Sequence, residues 1–279
     1  MDALKMAVII TYREAQEILN YKEKEFEISL DLGKTKTGVR VEGKRVLIGN
    51  ETISFRALTK IKENNCYLFE EEKLIPLAFF SDKTNIYYKL LPTKDWPTIT
   101  FSSTPMHRHI KVSPKEDTEL KITEISPIKG QVLDTCCGLG YTAIMASKQA
   151  KKIYTFERDA NVLEMARYNP HSQELFENKK IFLVKKSIFE EIERFPKNFF
   201  DRVIHDPPTF TISPELYSPK FYSQLFRVMK KEAILYHYAP APHKTKGEIF
   251  YLKIIRRLKE AGFRQIEYHE ESSGIRAVK

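Results

Sequence analysis

Three short stretches hold residues able to do chemistry. Residues 131–140 read Gln-Val-Leu-Asp-Thr-Cys-Cys-Gly-Leu-Gly: a short apolar strand, then a glycine turn, with helix formers from Tyr141 onward. Gly138 and Gly140 let the backbone approach a ligand, and a helix start supplies free N–H donors, which suits a nucleotide-like group. Residues 153–156 read as a second strand that ends in Glu157, 17 positions after Gly140, with Arg158 beside it. A carboxylate at the end of a strand can take both hydroxyls of a ribose. Val203 and Ile204 lead into His205-Asp206-Pro207-Pro208-Thr209-Phe210. Two prolines fix φ and donate no N–H. Their carbonyls and the Asp206 carboxylate therefore predict a rigid acceptor cluster. Such a cluster binds the N–H groups of an exocyclic amine, aims its lone pair and accepts the shed proton.

Other residues fall near the same edge. Ser187 follows the third predicted strand. His205 lies within its strand and reads as a core histidine or a substrate contact. Tyr217 and Tyr222 sit at the start of the following helix and either stack a base or pack the core. His237 ends the next strand, and Arg108, within Met106-His107-Arg108-His109, precedes the first. Cys136 and Cys137 read as small residues filling the turn rather than nucleophiles. No second cysteine pair or suitably spaced histidine supports a metal site.

These residues need a scaffold of alternating strands and helices. Strands are expected at 131–135, 152–157, 180–185, 201–206, 232–238, 263–270 and 274–278. Helices are expected at about 140–150, 159–168, 187–194, 214–230 and 245–261. Repeated βα units give a parallel, doubly wound sheet. The short turn at Ser272-Ser273-Gly274 makes the last two strands an antiparallel hairpin. Upstream, a helix over 12–24 precedes alternating runs punctuated by Gly33, Gly38, Gly43 and Gly49, and further strands are possible at 67–69, 77–80 and 86–91. That pattern reads as a smaller β-rich domain over residues 1–104, joined through a proline-rich connection, Pro92 to Pro105, to a domain over 105–279. A helix over 117–125 should pack beside the main sheet.

Composition bounds the rest. Among 279 residues, 42% are hydrophobic, as in an ordinary soluble core. No apolar run reaches the ~18 residues of a membrane span, and the N-terminal apolar stretch is too short for a signal peptide. Three cysteines, two adjacent, make no disulfide framework, so a cytoplasmic setting is expected. Net charge is +9, of which residues 1–110 carry +2 and residues 111–279 carry +7. A basic field attracts polyanions such as nucleic acid. Lys34, Lys36, Arg40, Lys44 and Arg45 would sit on hairpin tips of the N-terminal domain, placed to reach phosphates. Oligomeric state is not readable.

The strand–glycine turn, the strand–acid and the strand–Asp-Pro-Pro, in that order, resemble the class I S-adenosylmethionine (SAM) methyltransferases. The likeness extends further. Met106-His107-Arg108, residues 134–142, Asn169-Pro170, residues 205–208, Leu216-Tyr217-Ser218 and Phe221-Tyr222 together resemble a family of predicted archaeal methyltransferases over residues 105–279. The resemblance implies a seven-stranded methyltransferase sheet and SAM as cofactor. Asp134, Cys136, Gly138, Gly140, Tyr141, Glu157, Arg158, Ser187 and Asp206 would bind it. Cys136 stands where the family usually has glycine, and Ser187 where it often has aspartate. Asp206, Pro207 and Pro208 would be catalytic, with His205, Phe210, Tyr217, Tyr222, His237 and Arg108 meeting the substrate. RNA is the expected partner and a base nitrogen the acceptor. A small amine or protein side chain, taking methyl or aminopropyl, is the alternative. An inactive fold serving as a binding module is a further one.

Overall fold

The computed structural model describes residues 7–240 and 247–279. Residues 245 and 246, where the last helix was expected to begin, and the first six residues lie outside that description. The chain divides into two compact units. One takes in residues up to Lys115 together with Asn161–Gln173; the other comprises Glu116–Ala160 and Glu174–Lys279.

The first unit is β-rich. Its helix Tyr12–Asn20 opens with a capping box, in which Glu14 accepts the Thr11 N–H at 3.0 Å. The helix stops at Asn20, short of 24, because Tyr21 is already extended. Strands Glu25–Ile28, Thr37–Glu42, Arg45–Ile48 and Glu51–Ser54 form an antiparallel meander in chain order. Phe26, Ile28, Val39, Val46, Ile48 and Ile53 point inward on alternate positions and build its core with Ile10 and Ile18. Three more strands pair as Val8–Ile10, Tyr67–Glu70 and Lys73–Pro76. A second four-stranded sheet holds Ala78–Ser81, Ile86–Leu91, Thr98–Phe101 and Thr104–Pro105. The expected connection at Pro92 to Pro105 is therefore part of the unit. Thr98-Ile99-Thr100-Phe101 is β-branched and aromatic, pairs with Ile86–Leu91 and buries Thr98 and Ile99 fully. Of the basic residues expected on hairpin tips, Lys34 donates to the Pro170 carbonyl at 3.0 Å, whereas Arg40 is not on a tip but within the strand Thr37–Glu42, between Glu25 and Glu42. Lys36, Lys44 and Arg45 are exposed.

The second unit is the doubly wound sheet. Its strands are β1 (Gln131–Asp134), β2 (Lys152–Phe156), β3 (Ile181–Val184), β4 (Phe200–His205), β5 (Met229–Tyr238), β6 (Arg264–His269) and β7 (Gly274–Val278). They lie in the order β3-β2-β1-β4-β5-β7-β6. All neighbours are parallel except β7, which runs antiparallel to both β5 and β6. A hairpin of four residues cannot hold a crossover helix, so reversal is the only way to add the last strand. The order reverses between β1 and β4, which opens a crevice at their carboxyl ends. β5 starts at Met229, three residues before the expected start. A register shift opposite Phe200 and Arg202, with Glu232 at φ 63°, accommodates the extra length.

The helices along this part of the chain include α1 (Pro114–Glu124), α2 (Tyr141–Ser147), α3 (Ala160–Tyr168), which from Asn161 belongs to the first unit, α4 (Pro219–Val228) and α5 (Gly247–Glu260). The helix expected over 214–230 is two pieces, a 3-10 turn Pro214–Tyr217 followed by α4. Ser218 is extended because a proline follows it, and its hydroxyl caps α4 by accepting the Phe221 N–H at 3.2 Å. The core beneath these helices joins Leu133, Phe156, Val203, Leu225, Leu235 and Leu258. Among the described residues, no helix is long and apolar enough to cross a membrane.

Candidate active site at the carboxyl edge of the sheet

β1 ends at Asp134 and turns at once. The Thr135 N–H donates to Ile204 of β4 and the Cys137 N–H to Phe156 of β2, so the turn is tied to both neighbours. Gly138 (φ 55°) and Gly140 (φ 83°) take left-handed conformations that a side chain would strain. At Gly140 a Cβ would also stand 2.8 Å from Leu175 Cδ2. Helix α2 starts directly after this residue, with no side chain capping it.

Two carboxylates face the turn. Glu157 Oε2 accepts the Gly138 N–H at 3.0 Å and Oε1 accepts the Asp159 N–H at 2.8 Å. Burial pushes the Glu157 carboxyl up to about 7, against the pull of those amides. Asp134 Oδ2 accepts from Thr155 at 2.9 Å and Thr142 at 3.2 Å. Oδ1 is buried and has no hydrogen-bond partner. Burial pushes Asp134 up to about 7, and the nearby Asp206 charge adds to that. A dry carboxylate oxygen without a donor is a place for a ligand's N–H or for a bridging water.

The neighbouring strand contributes Asp206, directly after β4. Its Oδ2 takes the Lys121 ammonium at 2.6 Å, and the side chain remains 23% exposed. Lys121, on α1, lies 2.7 Å from Asp117 Oδ2 and 5.0 Å from the centroid of the Tyr238 ring. Burial alone would push the Lys121 ammonium down, but Asp206 and Asp117 hold it above the usual lysine range. Neither Asp117 nor Lys121 was expected from the sequence. The available signal was positional: buried residues on α1 are Asp117, Thr118, Lys121 and Ile122, so two charges occupy its inner face.

The acceptor cluster differs in part from expectation. The Pro208 carbonyl already accepts from the Tyr217 hydroxyl at 2.8 Å and Pro207 is buried, which leaves the half-buried Asp206 carboxylate as the acceptor at this edge. Phe210 is 46% exposed and leans edge-on against Tyr217 and Phe250. Tyr217 itself is buried. Arg158 reaches across to Glu215 at 3.2 Å, the Ile212 carbonyl at 3.2 Å and Ser213 Oγ at 3.0 Å, pinning the segment after Asp-Pro-Pro. Ser187 caps the turn Ile188–Glu191 by accepting the Phe189 N–H. Arg108 belongs to the first unit, after the Thr104–Pro105 strand.

Three expected substrate contacts are corrected. His205, Tyr222 and His237 are fully buried and pair among themselves. His205 Nε2 faces the Leu216 carbonyl at 3.1 Å, so it carries the proton, and Nδ1 accepts from Thr135 at 2.8 Å. His237 donates through Nδ1 to the Tyr238 carbonyl at 2.7 Å and accepts the Tyr222 hydroxyl at Nε2, 2.9 Å. The two rings meet edge to face at 4.5 Å. Burial pushes His237 down to about 4 and His205 well below its ordinary value, so both are neutral. Tyr141, expected beside the cofactor, is likewise buried. Cys136 and Cys137 are free thiols whose pKa burial raises, which fits turn-filling residues.

A reversed final strand, a glycine turn after β1, an acid after β2 and Asp-Pro-Pro after β4 define a class I SAM-dependent methyltransferase fold. Residues 116–218 match the family model of the methyltransferase small domain. S-adenosylmethionine is the cofactor of that class, and the residues fit it: two left-handed glycines, an unpartnered Asp134 oxygen and an oriented Glu157 carboxylate. A Methanocaldococcus jannaschii protein described as uncharacterized protein MJ1233 is 39% identical over 278 residues, covering 97% of this chain and 95% of that one. The chain belongs to the same family as that protein. Among solved structures, a spermidine synthase in complex with the transition-state analogue AdoDATO aligns at TM-score 0.59, with 20% identity over 72% of each chain. The spermidine synthase from Thermotoga maritima aligns at 0.56, with 16% identity over 78% of this chain and 79% of that one.

Proposed function

We propose that the chain transfers the methyl group of SAM to a nitrogen of an RNA base. The observation that carries this reading is the juxtaposition after β4: the Asp206 side chain remains 23% exposed with Oδ2 held by Lys121, and a 46% exposed Phe210 ring follows four residues on. A carboxylate oxygen held in a fixed direction matches an N–H group of an amine, and an exposed ring offers a flat surface for stacking a base. Bound SAM supplies an activated methyl carbon. Asp134 and the glycine turn hold its amino-acid end, and Glu157 its ribose. Asp206 would orient the acceptor N–H and receive its proton as the N–CH3 bond forms and the S–CH3 bond breaks, with S-adenosylhomocysteine as the leaving group. No covalent enzyme intermediate is needed, which agrees with the protonated thiols at the turn. The +9 charge and the exposed Lys36, Lys44 and Arg45 support a polyanionic partner presented by residues 1–104.

A second reading is methyl or aminopropyl transfer to a small amine, favoured by the shared fold with spermidine synthase. Purified protein incubated with methyl-labelled SAM and separate RNA, protein and metabolite fractions distinguishes the two. Label in the RNA fraction, released as a methylated base on digestion, is the expected result. Label confined to metabolites refutes the RNA reading.

A further inference from the structure

The ammonium of Lys121 sits in the acceptor site itself, 2.6 Å from the carboxylate expected to receive the proton. It is only 5% exposed, and its second counter-ion, Asp117, is fully buried. The three groups belong to α1 and the end of β4, and the Tyr238 ring at the end of β5 closes the fourth side. A buried ion group of this kind is an unfavourable way to gain stability, because desolvation offsets most of the Coulomb attraction. Its value lies in what it fixes.

We infer that Lys121 is a positioning and charge-selecting residue: it holds Asp206 by Oδ2, leaves Oδ1 to the acceptor, and keeps that acceptor neutral. The inference rests on the nitrogen-acceptor reading above and deepens it. An alkylamine at neutral pH arrives as an ammonium. Docked on Asp206 Oδ1, it would place a second cation within a carboxylate's width of Lys121, in a site where water screens little. An aromatic amine or ring nitrogen is neutral, presents the same N–H geometry and meets no such repulsion. Lys121 thus disfavours cationic amines by a built-in repulsive contact, the usual route to specificity between substrates that share their attractive contacts. It is also unable to act as the proton acceptor, since two carboxylates keep its ammonium charged. Asp206 receives the proton, and Lys121 holds its other oxygen in place.

The test uses the full chain with three variants. Lys121→Met keeps the side-chain length without the charge. Asp117→Asn/Lys121→Met also removes the buried acid that loses its lysine in the first variant, and so covers a folding failure. Lys121→Arg restores the charge. Calorimetry with S-adenosylhomocysteine measures the cofactor site; calorimetry of the loaded protein with spermidine measures the acceptor site; labelled SAM with unmodified RNA transcripts measures transfer. The methionine variants should bind S-adenosylhomocysteine within about threefold of wild type, bind spermidine at least about tenfold more tightly, and lose about a hundredfold in kcat on RNA. Lys121→Arg should recover most of kcat and keep spermidine out. Unchanged spermidine affinity in both methionine variants overturns the inference, as does a wild type that methylates spermidine in preference to RNA. If wild type labels neither, the RNA reading fails, and the spermidine comparison still decides the role of Lys121.

Discussion

Cofactor binding should release protons, and the number follows from two side chains. Asp134 and Glu157 are each pushed up to about 7 by burial. A ligand that donates hydrogen bonds to both needs them ionised, so bound protons must leave. For groups titrating at about 7, each carboxylate carries about 0.9 proton at pH 6, about 0.5 at pH 7 and about 0.1 at pH 8. If the ligand's contacts bring both well below 6, release is about 1.8, 1.0 and 0.2 protons respectively. The affinity changes in step: deprotonation weakens binding by about elevenfold per group at pH 6 but only about 1.1-fold at pH 8, so the two together give roughly a hundredfold. Calorimetric titration with S-adenosylhomocysteine in two buffers of different ionisation enthalpy reads this number directly from the difference in heat. Asp134→Asn should halve it at pH 7. A release near zero at pH 6, with affinity flat from pH 6 to 8, would refute the assignment of these carboxylates to the ligand.

Other consequences are as direct. Asp206→Asn keeps the shape but removes the proton acceptor, and should lower kcat by about 10²–10⁴ with S-adenosylhomocysteine affinity within about threefold, measured by single-turnover transfer and calorimetry. Gly140→Ala forces a side chain into φ 83° and against Leu175; left-handed strain of about 1–2 kcal/mol and overpacking of about 1–3 kcal/mol should together lower stability by about 2–5 kcal/mol in denaturant unfolding. Cys136→Ser should leave transfer within about threefold of wild type, because a buried, protonated thiol is no nucleophile. The buried histidines give a pH dependence of stability with opposite sign to the carboxylates. His237, down at about 4, binds fewer protons folded than unfolded, so it withdraws stability as pH falls from about 6.5 toward 4. Asp134 and Glu157, up at about 7, withdraw stability as pH rises from about 4 to 7. The ligand-free protein should therefore melt at nearly constant temperature between pH 5 and 6.5, whereas saturating S-adenosylhomocysteine, by ionising the carboxylates, should make the loss on acidification steep.

The groups proposed to hold the cofactor could be picked out because each lies within a few residues of the backbone feature that positions it. Gly138 and Gly140 announce a left-handed turn, Glu157 stands at a strand end, and Asp206 precedes two prolines. Short-range geometry fixes such residues, so their type and order suffice. The parallel sheet and its reversed final strand followed from spacing in the same way. Long-range pairings were not legible. Lys121 and Asp206 are 85 positions apart, and Asp117 with Lys121 reads as an ordinary solvated i,i+4 pair until the helix face they share is seen to be buried. Tyr217 blocks the Pro208 carbonyl from nine positions away, and nothing in the prolines foretells it. The strand Thr98–Phe101 was hidden by the prolines around it, although its own residues are strong strand formers.

That division has a physical reason, visible in how the charges at this edge are satisfied. Asp134 keeps one buried oxygen without a donor, and burial pushes both Asp134 and Glu157 up to about 7, so the ligand-free protein holds them part-protonated at neutral pH. They are poised for a partner that arrives from outside. Asp206 is paired in advance, by a lysine drawn from an element outside the βα units. A carboxylate that binds a ligand gains from being left short of donors, because the ligand then supplies the difference. One that must meet an acceptor N–H in every turnover gains from a fixed counter-ion, which keeps it aimed before the substrate comes. The first arrangement can be built from a turn and a strand end alone. The second needs a residue brought from elsewhere in the chain, and only the folded sheet shows which one.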